Sequence, residues 1–139
     1  MGSKSNLQIY IVEDDKMYLR LLSHNLNAWG YTNHKTFASG ESFLLAIEKK
    51  PDMVLLDHQL GMMCGIEVLN NIRMIHPNAH VVFLSGQEEV SVASEAIKNG
   101  AKEYIEKNAD AMILLRQHLD EYYMHCDKSV LYRIRAWFS

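Results

Sequence analysis

The sequence of 139 residues predicts an α/β domain, with a doubly wound, five-stranded parallel sheet and helices on both of its faces. Three observations predict this class. Short apolar runs alternate with segments of helical periodicity along most of the chain. Most of these runs are apolar at successive positions, as is typical of strands buried on both faces. Strands that alternate with helices favour parallel pairing through right-handed crossovers.

The five strands are predicted at the short apolar runs. The second run is the most polar of them, which suits the edge of a sheet. The fourth, Val81-Val82-Phe83-Leu84, is the clearest. The predicted strands cover residues 7–12, 31–37, 53–56, 81–84 and 103–106.

The five helices are predicted between and after these strands, from apolar residues at helical spacing. Gly30 and Gly100 are stop signals for the first and fourth helices, and Pro51 closes the second. Pro77 and Asn78 form a turn after the third helix. The predicted helices cover residues 16–29, 39–50, 65–75, 88–99 and 109–123.

Composition and charge exclude several classes of protein. Hydrophobic residues make up 48% and charged residues 22%, which is ordinary for a globular domain. The formal charge of -3 gives no overall attraction to nucleic acid or to anionic membranes, and no apolar stretch is long enough to cross a bilayer. The polar start of the chain does not resemble a signal peptide. Cys64 and Cys126 are expected to be free thiols in a reducing compartment, so the expected location is the cytoplasm.

Carboxylates follow two of the predicted strands, and parallel strands bring their carboxyl ends to the same edge of a sheet. Crowded carboxylates repel one another unless a cation lies between them, so the sequence predicts a divalent metal site, most simply Mg2+. Asp15 taken alone is expected to cap the first helix. The residues at the carboxyl ends of the strands are Glu13, Asp14, Asp15, Asp57, Ser85 and Lys107.

Four motifs, taken together, are specific enough to indicate a protein family. They are Val12-Glu13-Asp14-Asp15, Leu55-Leu56-Asp57, Phe83-Leu84-Ser85-Gly86 and the segment 100–107 that ends in Lys107. With these motifs, residues 7–121 resemble the receiver domain of bacterial two-component response regulators. The resemblance implies the flavodoxin-like strand order 2-1-3-4-5.

The resemblance also implies a phosphorylation site. Asp57 would accept a phosphoryl group from a histidine kinase or a phosphotransfer protein. Asp14 and Asp57 would bind Mg2+ directly, Glu13 would bind it through water, and the backbone carbonyl of Gln59 would be a further ligand. The expected product is an aspartyl phosphate.

Two further residues would contact the phosphoryl group, and a third would change its conformation when that group is present. The resemblance implies that Lys107 and Ser85 neutralise or bind its oxygens, and that Ser85 moves toward it while Tyr104 rotates inward. The chain would then be a switch that assists its own phosphorylation and dephosphorylation, rather than an enzyme. It would signal to a downstream protein target, and the resemblance leaves a homodimer open.

The sequence lacks two prolines that the family pattern usually contains. Gly61 and Asn108 stand where the family usually has proline, which implies a looser loop and a trans peptide bond after Lys107. Gln59 and Gln87 flank the expected reaction and would tune dephosphorylation.

The predicted domain covers residues 7–125, and residues 126–139 read as an amphipathic tail or a helix extension. The alternative function is the regulatory fragment of a longer response regulator with a DNA-binding or enzymatic output domain. This chain alone is not expected to bind nucleic acid. A phosphatase or nucleotide-binding enzyme and a phosphate-independent pseudo-receiver are weaker hypotheses. His118, His125 and Cys126 are expected to lie on a helix surface and not to form a metal site.

Overall fold

The computed structural model describes residues 3–86, 90–126 and 137. Seven strands are found in this part of the chain, five of them in the main sheet. The strands are β1 (Ile9–Val12), β2 (His34–Phe37), β3 (Met53–Asp57), β4 (Gln59–Leu60), β5 (Met63–Cys64), β6 (His80–Ser85) and β7 (Glu103–Glu106). The α-helices are α1 (Lys16–Ala28), α2 (Gly40–Ala46), α3 (Gly65–Ile75), α4 (Val90–Lys98) and α5 (Ala111–Cys126).

The main sheet is parallel throughout, with the order β2-β1-β3-β6-β7. This confirms the predicted order once the short strands β4 and β5 are left out. Those two strands form an antiparallel hairpin that the sequence did not predict, because two-residue strands carry no periodicity. Gly61 has a φ of +76° in the turn between them, a conformation that suits glycine.

The core lies on both faces of the sheet because alternate residues of a strand point to opposite sides. Every residue of β1 and β3 is buried. Tyr10 and Val12 pack in one cluster with residues of α2, α3 and α4, while Ile9 and Ile11 pack in the other with residues of α1 and α5. The edge strand β2 is only partly buried, as its polar sequence predicts.

The helices agree with the predicted positions, with local differences at their ends. Asp15 caps α1, since its side chain accepts hydrogen bonds from the N–H groups of Met17 and Tyr18 at 2.9 and 3.4 Å. The predicted second helix ends early and continues as a 3-10 turn over Ile47–Lys49. The start predicted for the fourth helix, at residue 88, lies outside the described residues.

The last helix, α5, runs to Cys126 and is therefore longer than predicted. Most of the predicted tail, 126–139, lies outside the described residues, and the prediction for it stays untested. Within the described ranges, no helix combines the length and the apolar character that a membrane crossing would need.

Candidate functional site

Strand register brings four predicted residues to one edge of the sheet. Val12 pairs with Leu56, so Glu13 and Asp57, the residues that follow them, lie side by side. Asp57 pairs with Leu84, and Ser85 follows at the end of β6. Ser85 in turn pairs with Glu106, the residue before Lys107. The site is therefore built by the ends of β1, β3, β6 and β7.

Three carboxylates meet at this edge. Oxygen atoms of Glu13, Asp14 and Asp57 all lie within 4.8 Å of one another. Glu13 is 1% exposed and Asp57 4% exposed, whereas Asp14 faces solvent. In the described part of the chain, Oε2 of Glu13 is buried without a hydrogen-bond partner. An oxygen-only donor set with an unpaired buried oxygen fits a hard cation such as Mg2+.

Lys107 lies between the two buried carboxylates. Its Nζ is 2.5 Å from Oε1 of Glu13 and 2.9 Å from Oδ1 of Asp57. Its backbone N–H donates to the carbonyl of Ser85 at 2.8 Å, which fixes the loop after β7. The same Nζ lies 4.4 Å from the ring centroid of Tyr18, at cation–π distance. The ammonium group is therefore held from three sides.

The electrostatics of the site show a shortage of positive charge. Burial raises the pKa of Glu13 to about 8, and the neighbouring Asp57 adds to this effect while Lys107 opposes it. Burial alone would lower the pKa of Lys107, but its contacts with Glu13 and Asp57 outweigh burial and raise it. One ammonium does not balance the carboxylates, so the site favours a further cation.

The loop after Asp57 is held by backbone hydrogen bonds. The N–H of His58 donates to the carbonyl of Leu84 at 3.0 Å, and the N–H of Gly65 donates to the carbonyl of His58 at 2.6 Å. A Cβ at Gly65 would lie 2.5 Å from the carbonyl oxygen of Asp57, so only glycine allows this approach. Gln59 is exposed at the start of the hairpin.

The remaining predicted residues lie around this cluster. Ser85 is buried at the end of β6. Tyr104 is half-buried on β7, and its ring stacks on Phe83 with centroids 6.1 Å apart. Gln87 lies outside the described residues. The bond between Lys107 and Asn108 is trans, as expected from the missing proline.

Sequence reasoning missed the contribution of Tyr18 to the site. In the sequence it reads as one of the apolar residues of α1, but its ring packs beneath Lys107. Its hydroxyl is buried and has no hydrogen-bond partner among the described residues. Its position in the sequence could have indicated this role, because Tyr18 lies one helical turn after the acids that end β1, and α1 starts beside the site.

Comparison with protein families gives a match over most of the chain. Residues 9–119 match the family model described as the response regulator receiver domain. The transcriptional regulatory protein ZraR of Escherichia coli K12 is 33% identical over 106 residues, which are 76% of this chain and 24% of that protein. The chain thus spans about a quarter of the length of the ZraR relatives.

Solved structures show the same similarity. The receiver domain of NtrX from Brucella abortus is 32% identical with a TM-score of 0.72, and the match covers 82% of this chain and 98% of that one. The CheX–CheY–BeF3–Mg complex from Borrelia burgdorferi is 25% identical with a TM-score of 0.76, covering 84% and 89% of the two chains.

Proposed function

Because this chain belongs to the response regulator receiver domain family, we propose that Asp57 accepts a phosphoryl group and that the chain thereby changes its protein contacts. The phosphodonor would be a phosphohistidine on a histidine kinase or phosphotransfer protein. The observation that carries the proposal is the position of Lys107, whose Nζ contacts both Glu13 and Asp57 beside the third carboxylate of Asp14.

The residues of the site suit an in-line transfer. A carboxylate oxygen of Asp57 attacks phosphorus, the P–N bond of the donor breaks, and the donor nitrogen keeps the electron pair. The ammonium of Lys107, now 2.9 Å from Asp57, is positioned to hold an oxygen of the transferred group. The hydroxyl of Ser85, on the neighbouring strand end, would donate to another. None of these residues needs to act as a strong base.

Glu13, Asp14 and Asp57 would hold Mg2+, with the carbonyl of Gln59 as a proposed fourth ligand. When bound, Mg2+ supplies positive charge next to the phosphoryl oxygens. The structure of the CheX–CheY complex, whose title names both BeF3 and Mg, supports this assignment for the fold. The three carboxylates of this chain provide the ligand chemistry that such an ion prefers.

The proposed output is a local rearrangement. Ser85 would move toward the phosphoryl group, and Tyr104, now packed on Phe83, would rotate into the space left behind. A charge change at the site would in this way bias a two-state element. The target would be a downstream protein, with a homodimer as a further proposed state. The chain would assist its own phosphorylation and dephosphorylation in the cytoplasm, without acting as an enzyme on other substrates or binding nucleic acid itself.

A second candidate function is the regulatory part of a longer regulator. The observation that favours it is the match to 24% of the length of ZraR, a protein named as a transcriptional regulator. The same switch would then control an output domain in cis. The reading frame that encodes the natural chain distinguishes the two candidates, because a downstream DNA-binding or enzymatic domain would support the second.

The phosphoacceptor is tested by intact-mass analysis after incubation with acetyl phosphate and Mg2+. The wild type should gain one labile phosphoryl group, and Asp57→Asn should gain none. Glu48→Gln is the control, because Glu48 is exposed on the 3-10 turn after α2 and does not belong to the carboxylate cluster. Modification of Asp57→Asn, or an unmodified wild type with either acetyl phosphate or a phosphorylated histidine donor, would contradict the proposal.

A further inference from the structure

Histidines from two elements meet near the opposite edge of the sheet. His80 is the first residue of β6, and His118 lies on α5. Their Nε2 atoms are 2.7 Å apart, and both side chains are part-buried. Glu103, the first residue of β7, places Oε2 3.6 Å from Nδ1 of His118. The sequence separation of 38 residues hides this pair, which explains why His118 reads as a surface residue of a helix.

We propose that His80 and His118 anchor a binding site for a transition-metal ion of the Zn2+ class, completed by Glu121 or His125. The site is distinct from the carboxylate site and does not depend on phosphorylation. It takes a borderline-soft divalent ion because its anchors are imidazole nitrogens.

The geometry of the pair is close to that of two metal ligands. Zinc–nitrogen bonds of about 2.0–2.1 Å in tetrahedral geometry separate two ligand nitrogens by about 3.3 Å. The two Nε2 atoms therefore need to move apart by only a fraction of an ångström. Glu103 faces the other ring nitrogen of His118, which is the usual position of the carboxylate that orients a metal-ligating histidine. The ring of His80 packs against Tyr122 with centroids 4.4 Å apart.

The third ligand would come from α5. His118, Glu121 and His125 are spaced three and four residues apart, so they share one face of the helix. Glu121 and His125 line the same cavity of about 370 Å3 as the histidine pair. In the described part of the chain, no third donor lies within 4.8 Å of both histidines. Rotation of one of these two exposed side chains would close the site.

The charges around the pair decide whether it is ready to bind. Lys102 also lines the cavity and opposes a cation, but its side chain is exposed and can turn into solvent. Burial, with His118 and Lys102, lowers the pKa of His80 to about 4. The hydrogen bond between the two Nε2 atoms requires one of them to accept, so at least one ring offers the unprotonated nitrogen that binds metal. Glu103 and Glu121 supply negative charge, and His125 and Tyr122 are the remaining titratable neighbours.

The first test is a calorimetric titration of the full chain with Zn2+ in excess Mg2+. The wild type should bind one Zn2+ ion per chain, and a variant with Asp14→Asn and Asp57→Asn should bind it equally well. His80→Gln and His118→Gln each remove a direct ligand, so each should weaken binding by more than the roughly 10- to 100-fold that loss of an outer-shell partner costs. His24→Gln is the control, because His24 is exposed on α1 and should bind like wild type.

A second measurement uses the wild type alone, so it does not depend on the folding of a variant. Co2+ bound at this site should give visible absorption bands of tetrahedral nitrogen coordination, and Zn2+ should remove them. Absence of saturable Zn2+ binding, loss of binding in the carboxylate variant, or unchanged affinity in a folded His118→Gln variant would overturn the proposal. Wild-type Co2+ spectra without such bands would overturn it too.

Discussion

Replacing Glu13 with glutamine should stabilise the metal-free protein at neutral pH. Burial, assisted by Asp57, raises the pKa of Glu13 from 4.5 to about 8, so the folded protein keeps this carboxyl protonated at pH 7. The unfolded chain loses that proton. The free energy of unfolding is therefore lowered in wild type, because ionisation favours the unfolded state. Glutamine cannot ionise and does not have this penalty.

The magnitude follows from the two pKa values. From pH 4.5 to pH 7 there are about 2.5 pH units, each worth about 1.4 kcal/mol, so the variant should be more stable by roughly 3–4 kcal/mol at pH 7. The sign is that of a raised carboxyl pKa. The stability provided by the protonated form is full below pH 4.5 and is lost as the pH rises to about 8. The difference should be under about 1 kcal/mol at pH 5 and level off above pH 8.

Urea denaturation of both proteins in EDTA at pH 5, 7 and 8.5 measures this difference. The same experiment with Mg2+ gives the functional counterpart: the ion should stabilise wild type, whereas Glu13→Gln should respond much less. Glu41→Gln on α2 is a suitable control, because Glu41 is exposed. A Glu13→Gln variant that is less stable than wild type at pH 7, or a difference that does not grow with pH, would refute the reasoning.

Three further substitutions separate the other parts of the site. Gly65→Ala should lower the free energy of unfolding, measured by urea denaturation, by roughly 2–3 kcal/mol, because its Cβ would lie 2.5 Å from a backbone atom. Gly86→Ala is the control and should change stability little, because no atom lies within 4 Å of its Cβ position. Equal effects of the two substitutions would contradict this reasoning. Asp15→Ala should lower the free energy of unfolding by about 1 kcal/mol, because α1 loses its cap, but it should still bind Mg2+ in calorimetry. Asp14→Ala should lose Mg2+ binding. Loss of Mg2+ binding in both variants would refute the assignment of Asp15 to the cap and Asp14 to the metal site. Tyr18→Leu should slow phosphorylation by acetyl phosphate, because the lysine loses its aromatic contact, and Tyr18→Phe should not; equal rates for wild type and the leucine variant would exclude a positioning role.

The fold was predictable because its signals are local and repeated. Uniformly apolar strands and the stop signals at Gly30 and Gly100 place most elements to within a few residues. The hairpin of β4 and β5 was not predicted, and α5 runs three residues past the helix end predicted at Tyr123. Two-residue strands depend on a turn and on packing, and the end of α5 has no strong stop signal in the sequence. The hairpin therefore lies where tertiary contacts, rather than local periodicity, decide the structure.

The carboxylate site was predictable for a different reason. Parallel strands necessarily bring their carboxyl ends together, so acids at the ends of β1 and β3 imply one cluster before any coordinates are known. The contacts of Tyr18 and His80 were not predicted, because strand order and helix positions do not determine them. Their roles depend on which way a helix or strand turns a side chain toward another element, as the ring beneath Lys107 and the contact with His118 show.

The two edges of the sheet differ in the chemistry they offer to a metal ion. At the carboxyl ends of the strands, two carboxyl groups are buried beside one ammonium, so the metal-free folded protein keeps Glu13 protonated at neutral pH, at a cost in stability. At the other edge, two part-buried imidazoles satisfy one another by a hydrogen bond, and a metal ion must displace that bond to enter. Mg2+ should therefore relieve a penalty at the first edge. A Zn2+-class ion at the second must compete with an interaction already made. This difference makes an empty carboxylate site costly to stability and an empty histidine site nearly neutral.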